Sequence, residues 1–111
     1  MKEYRLEAIL AVELDIEAAF EWYEREEFHL GIEFLDELRA AYVRILNHPL
    51  AYQDLRSGIR RALTRRFPYA IFFSIEAEVI VILAVLHAAR DPEESGSDGF
   101  NLPLAFDLTC H

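Results

Sequence analysis

Val79-Ile80-Val81-Ile82-Leu83-Ala84-Val85-Leu86 carries no polar side chain at any position. The run is too short to cross a bilayer, which takes about 20 apolar residues in a helix. Its β-branched, uninterrupted apolarity matches a strand buried on both faces. A chain holding such a strand must place a layer on each side of it, and that requirement organises the reading of everything else.

One layer is found upstream. Residues 4–10 alternate Tyr4, Leu6, Ala8 and Leu10 with Arg5, Glu7 and Ile9, the period of a half-buried strand. From Val12 the period lengthens. Val12, Ile16, Ala19, Phe20 and Tyr23 form one stripe with Glu13, Glu17, Glu21 and Glu24 off it, which predicts an amphipathic helix to about residue 27 with Trp22 beside the stripe. Gly31 interrupts this pattern. A second stripe through Phe34, Leu35, Leu38, Tyr42, Ile45 and Leu46 ends at Asn47-His48-Pro49, so the two helices should pair as a hairpin. A loop over residues 50–57 leads to Gly58, which opens three extended segments, 59–66, 69–76 and 79–86. Phe67-Pro68 makes a corner between the first two, and Ala77-Glu78 a tight turn between the last two. The expected fold is α+β: an N-terminal strand, a helical hairpin, then a three-stranded antiparallel meander, giving a four-stranded sheet with the helices on one face.

The second layer has to come from elsewhere. Residues 93–99 are rich in Gly, Ser and acids and read as a linker. Beyond them Phe100, Leu102, Leu104, Phe106 and Leu108 alternate with Asn101, Pro103, Ala105 and Asp107. The organisation expected is a domain over residues 1–92 and a tail over 93–111 that docks on this domain or on a neighbouring subunit, the second case giving a homodimer through the tail.

The chain has 111 residues, 53% of them hydrophobic, enough for one core without metal or disulfide support. Cys110 is the sole cysteine, so no internal disulfide and no cysteine-based metal cluster can form, and neither metal nor cofactor is expected. Charges recur from Lys2 through Glu7, and no long apolar run follows. The expectation is a cytoplasmic protein with no signal peptide and no membrane partner. Formal net charge is -9, yet Arg56, Arg60, Arg61, Arg65 and Arg66 lie close together with no acid among them. Strand alternation over 59–66 would put Arg60 and Arg66 on one face and Arg61 and Arg65 on the other. The cluster can meet an anionic partner, or it can pair with the glutamates of the two helices in surface bridges worth about 0–1 kcal/mol each.

Several segments in order resemble one family. Phe20-Glu21-Trp22-Tyr23-Glu24, Leu30-Gly31-Ile32-Glu33-Phe34-Leu35-Asp36-Glu37-Leu38, Ile45-Leu46-Asn47-His48-Pro49, Ile59-Arg60-Arg61-Ala62-Leu63, Arg66-Phe67-Pro68-Tyr69 and Ala84-Val85-Leu86-His87-Ala88-Ala89-Arg90-Asp91-Pro92 are similar to successive signatures of the ParE/RelE toxin superfamily, on its ParE-like, plasmid-stabilisation side. The resemblance covers residues 4–92 and says nothing of the tail. It implies the toxin of a type II toxin–antitoxin pair, held inactive by a cognate antitoxin whose segment lies along the sheet and the hairpin.

Two activities follow from the resemblance. RelE-like members cut messenger RNA on the ribosome, which needs a proton acceptor, cations to hold phosphorane-like charge and a general acid. Arg61, Arg65, His87 and Arg90 are the candidates for that chemistry. His87 is followed by Ala88 rather than by the tyrosine of some nucleases, and Lys2 is the only lysine. ParE-like members instead bind DNA gyrase and need no catalytic set, and the chain sits closer to these. The expected target- and antitoxin-binding surface is Arg56, Arg60, Arg61, Arg65, Arg66, Tyr69, His87 and Arg90. A third reading is a degenerate, non-toxic interaction module with its site covered by its tail.

Overall fold

The computed structural model describes residues 3–88; Arg90, the 93–99 linker and the 93–111 tail lie outside the described residues. The chain runs β1 (Arg5–Ala8), α1 (Leu10–Glu26), α2 (Leu30–Asn47), a short 3-10 turn (Pro49–Ala51), β2 (Asp54–Arg56), β3 (Ile59–Leu63), β4 (Tyr69–Glu76) and β5 (Val79–His87). The strands form one open mixed sheet in the order β1-β5-β4-β3-β2, with β1 parallel to β5 and every other pair antiparallel. The α+β order expected from the sequence is found, with five strands rather than four.

The added strand is β2, inside the segment read as a loop. Three residues cannot display a period, which is why alternation did not reveal it. Ser57 and Gly58 both take positive φ, 52° and 83°, the backbone of a two-residue hairpin turn, and Asp54 Oδ1 accepts the Gly58 N–H at 3.2 Å. The Ser-Gly dipeptide was the available signal. Ala77-Glu78 closes the β4–β5 hairpin as expected, with Glu76 opposite Val79. β3 is shorter than the expected 59–66, because Thr64 ends it. Its buried hydroxyl accepts the Tyr69 N–H at 2.9 Å and donates to the Phe67 carbonyl, so the turn over 64–68 is closed from within.

Both helices lie on one face of the sheet, α1 over β5 and α2 over β1 and β3. Alternation sorts the strands accordingly. Leu6, Ala8, Ala62, Ile71, Phe73, Ile80, Ile82 and Val85 join the helical stripe of Val12, Phe34, Leu38, Ala41 and Ile45 in the main core. Ala70, Phe72 and Ala84 face the other way, in a second cluster with Leu55, Ile59 and Leu86. A register shift between Phe72 and Phe73, where Leu83 is the extra residue on β5, lets both Ile82 and Val85 reach the helical core.

Gly31 does not break the helical pattern; it sits in the first turn of α2, where the two helices come closest. A Cβ there would lie 2.7 Å from both the Phe20 ring and the Phe20 carbonyl oxygen and 2.8 Å from Glu24 Cγ. Glycine is required for approach. The break between the helices is Glu27–His29, with His29 in the left-handed region at φ 72°. Glu24 then caps α2 from α1: Oε2 accepts the Gly31 N–H at 2.8 Å and the Ile32 N–H at 3.3 Å. One conspicuous cost is left in the hairpin. Among the described residues the buried Tyr42 hydroxyl has no hydrogen-bond partner, and burial, helped by the nearby Glu13 charge, pushes its pKa up to about 12.

Two stability tests follow from this packing. Gly31→Ala should lower the unfolding free energy by about 1–3 kcal/mol, since the clash is with backbone that cannot rotate away; an unchanged urea midpoint would contradict the close approach. Tyr42→Phe removes an unsatisfied polar atom and should leave thermal stability equal or higher. A drop of several degrees would mean the hydroxyl has a partner.

Candidate binding groove and arginine loop

Aromatic side chains tie the hairpin to the end of the meander. Phe67, at the corner after the 64–68 turn, packs edge-on against Tyr23 of α1 at 5.1 Å and Phe34 of α2 at 5.8 Å. Phe34 also meets Tyr69 at 5.1 Å, and Tyr69 meets His87, its partner across β4 and β5, at 5.4 Å. Next to this cluster α1 and the ends of β4 and β5 leave an open groove of about 640 Å³. Trp22, Tyr23 and Asp15 line it from α1, with Tyr69 and His87 on the floor. Trp22 is half exposed, and Leu14, about two turns before it on α1, is also exposed. The sequence named Tyr69 and His87 as surface residues. It placed Trp22 only at the edge of the core and missed Asp15, which lies off the apolar stripe and has no distinguishing neighbours in sequence.

The arginines do not form one strand surface. Arg60 is opposite Phe73 on the helical face and donates to the Tyr52 carbonyl. Arg61 is opposite Phe72 on the helix-free face. Arg65 and Arg66 have left β3 for the 64–68 turn, so the face assignment made from alternation does not apply to them. Arg56 ends β2 at the sheet edge. What holds the turn is a carboxylate. Glu37 Oε2, from α2, accepts the backbone N–H groups of Arg65 at 2.6 Å and Arg66 at 3.0 Å. Glu33, one turn earlier, pairs with the Arg66 guanidinium, which also stands 5.1 Å over the Phe67 ring. Arg66 is therefore committed to the helix and to the aromatic cluster. The Arg65 side chain stays exposed at the tip of the turn.

Among the candidate nuclease residues, Arg61 and His87 are separated by this arrangement. His87 shares the helical face with Tyr69, whereas Arg61 points to the opposite face, three residues along β4 and a further strand away. That is roughly 10 Å along the strand and about 5 Å per strand across it. Arg90 lies outside the described residues. Among the described residues no cluster of His, Cys, Asp or Glu could hold a metal ion, and no helix is long and apolar enough to cross a membrane.

Comparison with known proteins fits this architecture. The family of ParE toxins of type II toxin–antitoxin systems, parDE, matches residues 10–92. The chain belongs to the ParE toxin family. A solved structure titled as the chromosomal ParDE TA system from P. aeruginosa superposes with a TM-score of 0.68 at 13% identity, over 77% of this chain and 96% of that one. At that identity the likeness is one of fold. No curated protein sequence matches the chain. Membership in the ParE family makes this a toxin of the type II kind and implies a cognate antitoxin as partner.

The anchoring of the arginine turn is testable through pH. The Arg65 N–H, against the desolvation of the carboxylate and with the Arg66 N–H and the charges of Arg44 and Arg65 adding, holds Glu37 below its ordinary value of 4.5. A carboxylate whose folded value is depressed stabilises the fold above its unfolded value, and that contribution is lost as pH falls through the folded value. Glu37→Gln should therefore be less stable than the parent at neutral pH, and the gap should close as pH drops below 4.5. A gap independent of pH in paired denaturation curves would remove the carboxylate charge from the explanation.

Proposed function

We propose that this ParE-family toxin acts by binding DNA gyrase rather than by cutting RNA, and that its cognate antitoxin neutralises it by laying an apolar segment along α1 and into the groove at Trp22, Tyr69 and His87. The observation that carries the non-catalytic reading is the split of the candidate residues: Arg61 and His87 stand on opposite faces of the sheet. In-line phosphoryl transfer needs its acid, base and cations converging on one phosphate within hydrogen-bond reach. Binding a protein has no such requirement. It is favoured by what the groove offers, an aromatic anchor beside exposed aliphatic residues with a few polar groups at the floor. Trp22 is the anchor of that surface, and Arg65 is exposed in the turn next to the aromatic cluster.

An acidic protein meeting a target by steering would be repelled by nucleic acid, and a net charge of -9 disfavours an RNA encounter on the ribosome. The turn carrying Arg65 and Arg66 offers local positive charge that acts within a Debye length of about 8–10 Å. That range suits a short acidic peptide better than a long polyanion.

Expression of the chain alone should arrest growth, and co-expression with the antitoxin encoded beside it should restore growth. The purified toxin should inhibit gyrase supercoiling while messenger RNA in a translating extract stays intact. Trp22→Ala should weaken antitoxin binding by at least tenfold, the order of one interface anchor, with the circular-dichroism spectrum unchanged. RNA cleavage that disappears in His87→Ala would establish the nuclease instead, and harmless high-level expression would point to a module without toxicity.

A further inference from the structure

One end of the helix-free face, around Ala70, Phe72 and Ala84, is apolar and buried although neither helix reaches it, while Arg5, Glu7, Ser74 and Glu76 occupy the other end of the same face. Phe72 and Ala70 are 0% exposed and Ala84 7%, with Leu55, Ile59 and Leu86 packed around them. A phenylalanine on the central strand of an open sheet is shielded only when a second layer packs on it, at about 10 Å from the sheet. Both helices are on the other side, and the segment after the 3-10 turn packs there too, through Tyr52 on Phe73 at 5.7 Å. β2 extends the sheet edge rather than crossing the face.

We infer that this face is the seat of the chain's own segment 100–108, folded back from the end of β5. Four observations converge on that occupant. The last described residue, Ala88, hydrogen-bonds to the Pro68 carbonyl at 2.6 Å, so the chain leaves from a strand that forms part of this face. Residues 89–99 can extend to about 36 Å at 3.3 Å per residue, longer than any strand here. Phe100, Leu102, Leu104, Phe106 and Leu108 then present one apolar edge, and the alternate positions are Asn101, Pro103, Ala105 and Asp107. Packing of this kind is made by side chains and asks for no ladder hydrogen bond, so Pro103 is no obstacle. Charge agrees as well: the segment after Ala88 carries Asp91, Glu93, Glu94, Asp98 and Asp107, and Arg61 stands on the receiving face. The inference is independent of the gyrase reading; it leaves the groove beside α1, and not this face, for a partner.

Cys110, the only cysteine, lets the full chain report on itself. With a nitroxide on Cys110, methyl signals of Leu55, Ile59 and Leu86 should lose most of their intensity, while those of Ile32 and Val43 on the hairpin keep theirs. Leu104→Asp combined with Phe106→Asp should restore the lost signals with the far-ultraviolet spectrum unchanged. Equal attenuation on both faces, none at all, or attenuation that survives the double substitution would overturn the assignment. So would full attenuation in a mixture of isotope-labelled chains without nitroxide and unlabelled chains with it, since the segment would then come from a second copy.

Discussion

The contact on which this molecule depends is Phe67 between Tyr23 and Phe34. Each aromatic pair contributes about 0.5–1.5 kcal/mol beyond the area it buries. The position of the contact matters more than its size. Phe67 belongs to the turn between β3 and β4, Tyr23 to α1 and Phe34 to α2, so one side chain fixes both helices against one corner of the sheet. Tyr69 follows two residues later and carries the contact on to His87 at the end of β5. The groove beside α1 is thus walled by residues whose positions are set together.

Carboxylates on the helices complete that frame. Glu24 accepts N–H groups that the first turn of α2 would otherwise leave unmet, and Glu37 does the same for the turn carrying Arg65 and Arg66. Several of the many acids that give this chain its charge of -9 are backbone acceptors, not merely solvating charge. The clustering of arginine in sequence also takes on a different meaning. Arg60 and Arg66 are held by a carbonyl and a glutamate, and Arg61 faces away from both, so the cluster does not act as one surface.

Periodicity made most of the architecture legible. The helical stripes place Val12, Tyr23, Phe34, Leu38 and Ile45 in the core, and the strand alternation places Leu6 and Ala8 beside them. What escaped were features decided by a single backbone conformation or by contacts across elements. β2 has three residues, too few to show a period. Gly31 looks like a breaker because glycine usually is one; its actual reason, the carbonyl of Phe20 at 2.7 Å from a would-be Cβ, exists only once the helices are paired. β3 was extended to Arg66 because basic residues do not announce a bend, and the hydroxyl of Thr64 that closes it is one of the least conspicuous groups in the sequence. The groove itself was half visible. Tyr69 and His87 could be named from their place at strand ends, whereas Asp15 and the exposure of Trp22 depend on how α1 lies over β5.

The continuous apolarity of β5 demands a layer on each side. On the helical face Ile80, Ile82 and Val85 are shielded by α1 and α2. The bulge at Leu83 is what allows Val85 to join them, because without the extra residue strict alternation from Ile80 and Ile82 would turn Val85 outward. On the other face the same shift brings Ala84 opposite Phe72, a small residue beside a large one. One irregularity therefore acts on both faces: it turns Val85 into the helical core and sets Ala84 beside Phe72. A sheet so divided sets its helix-free face apart from the groove next to α1.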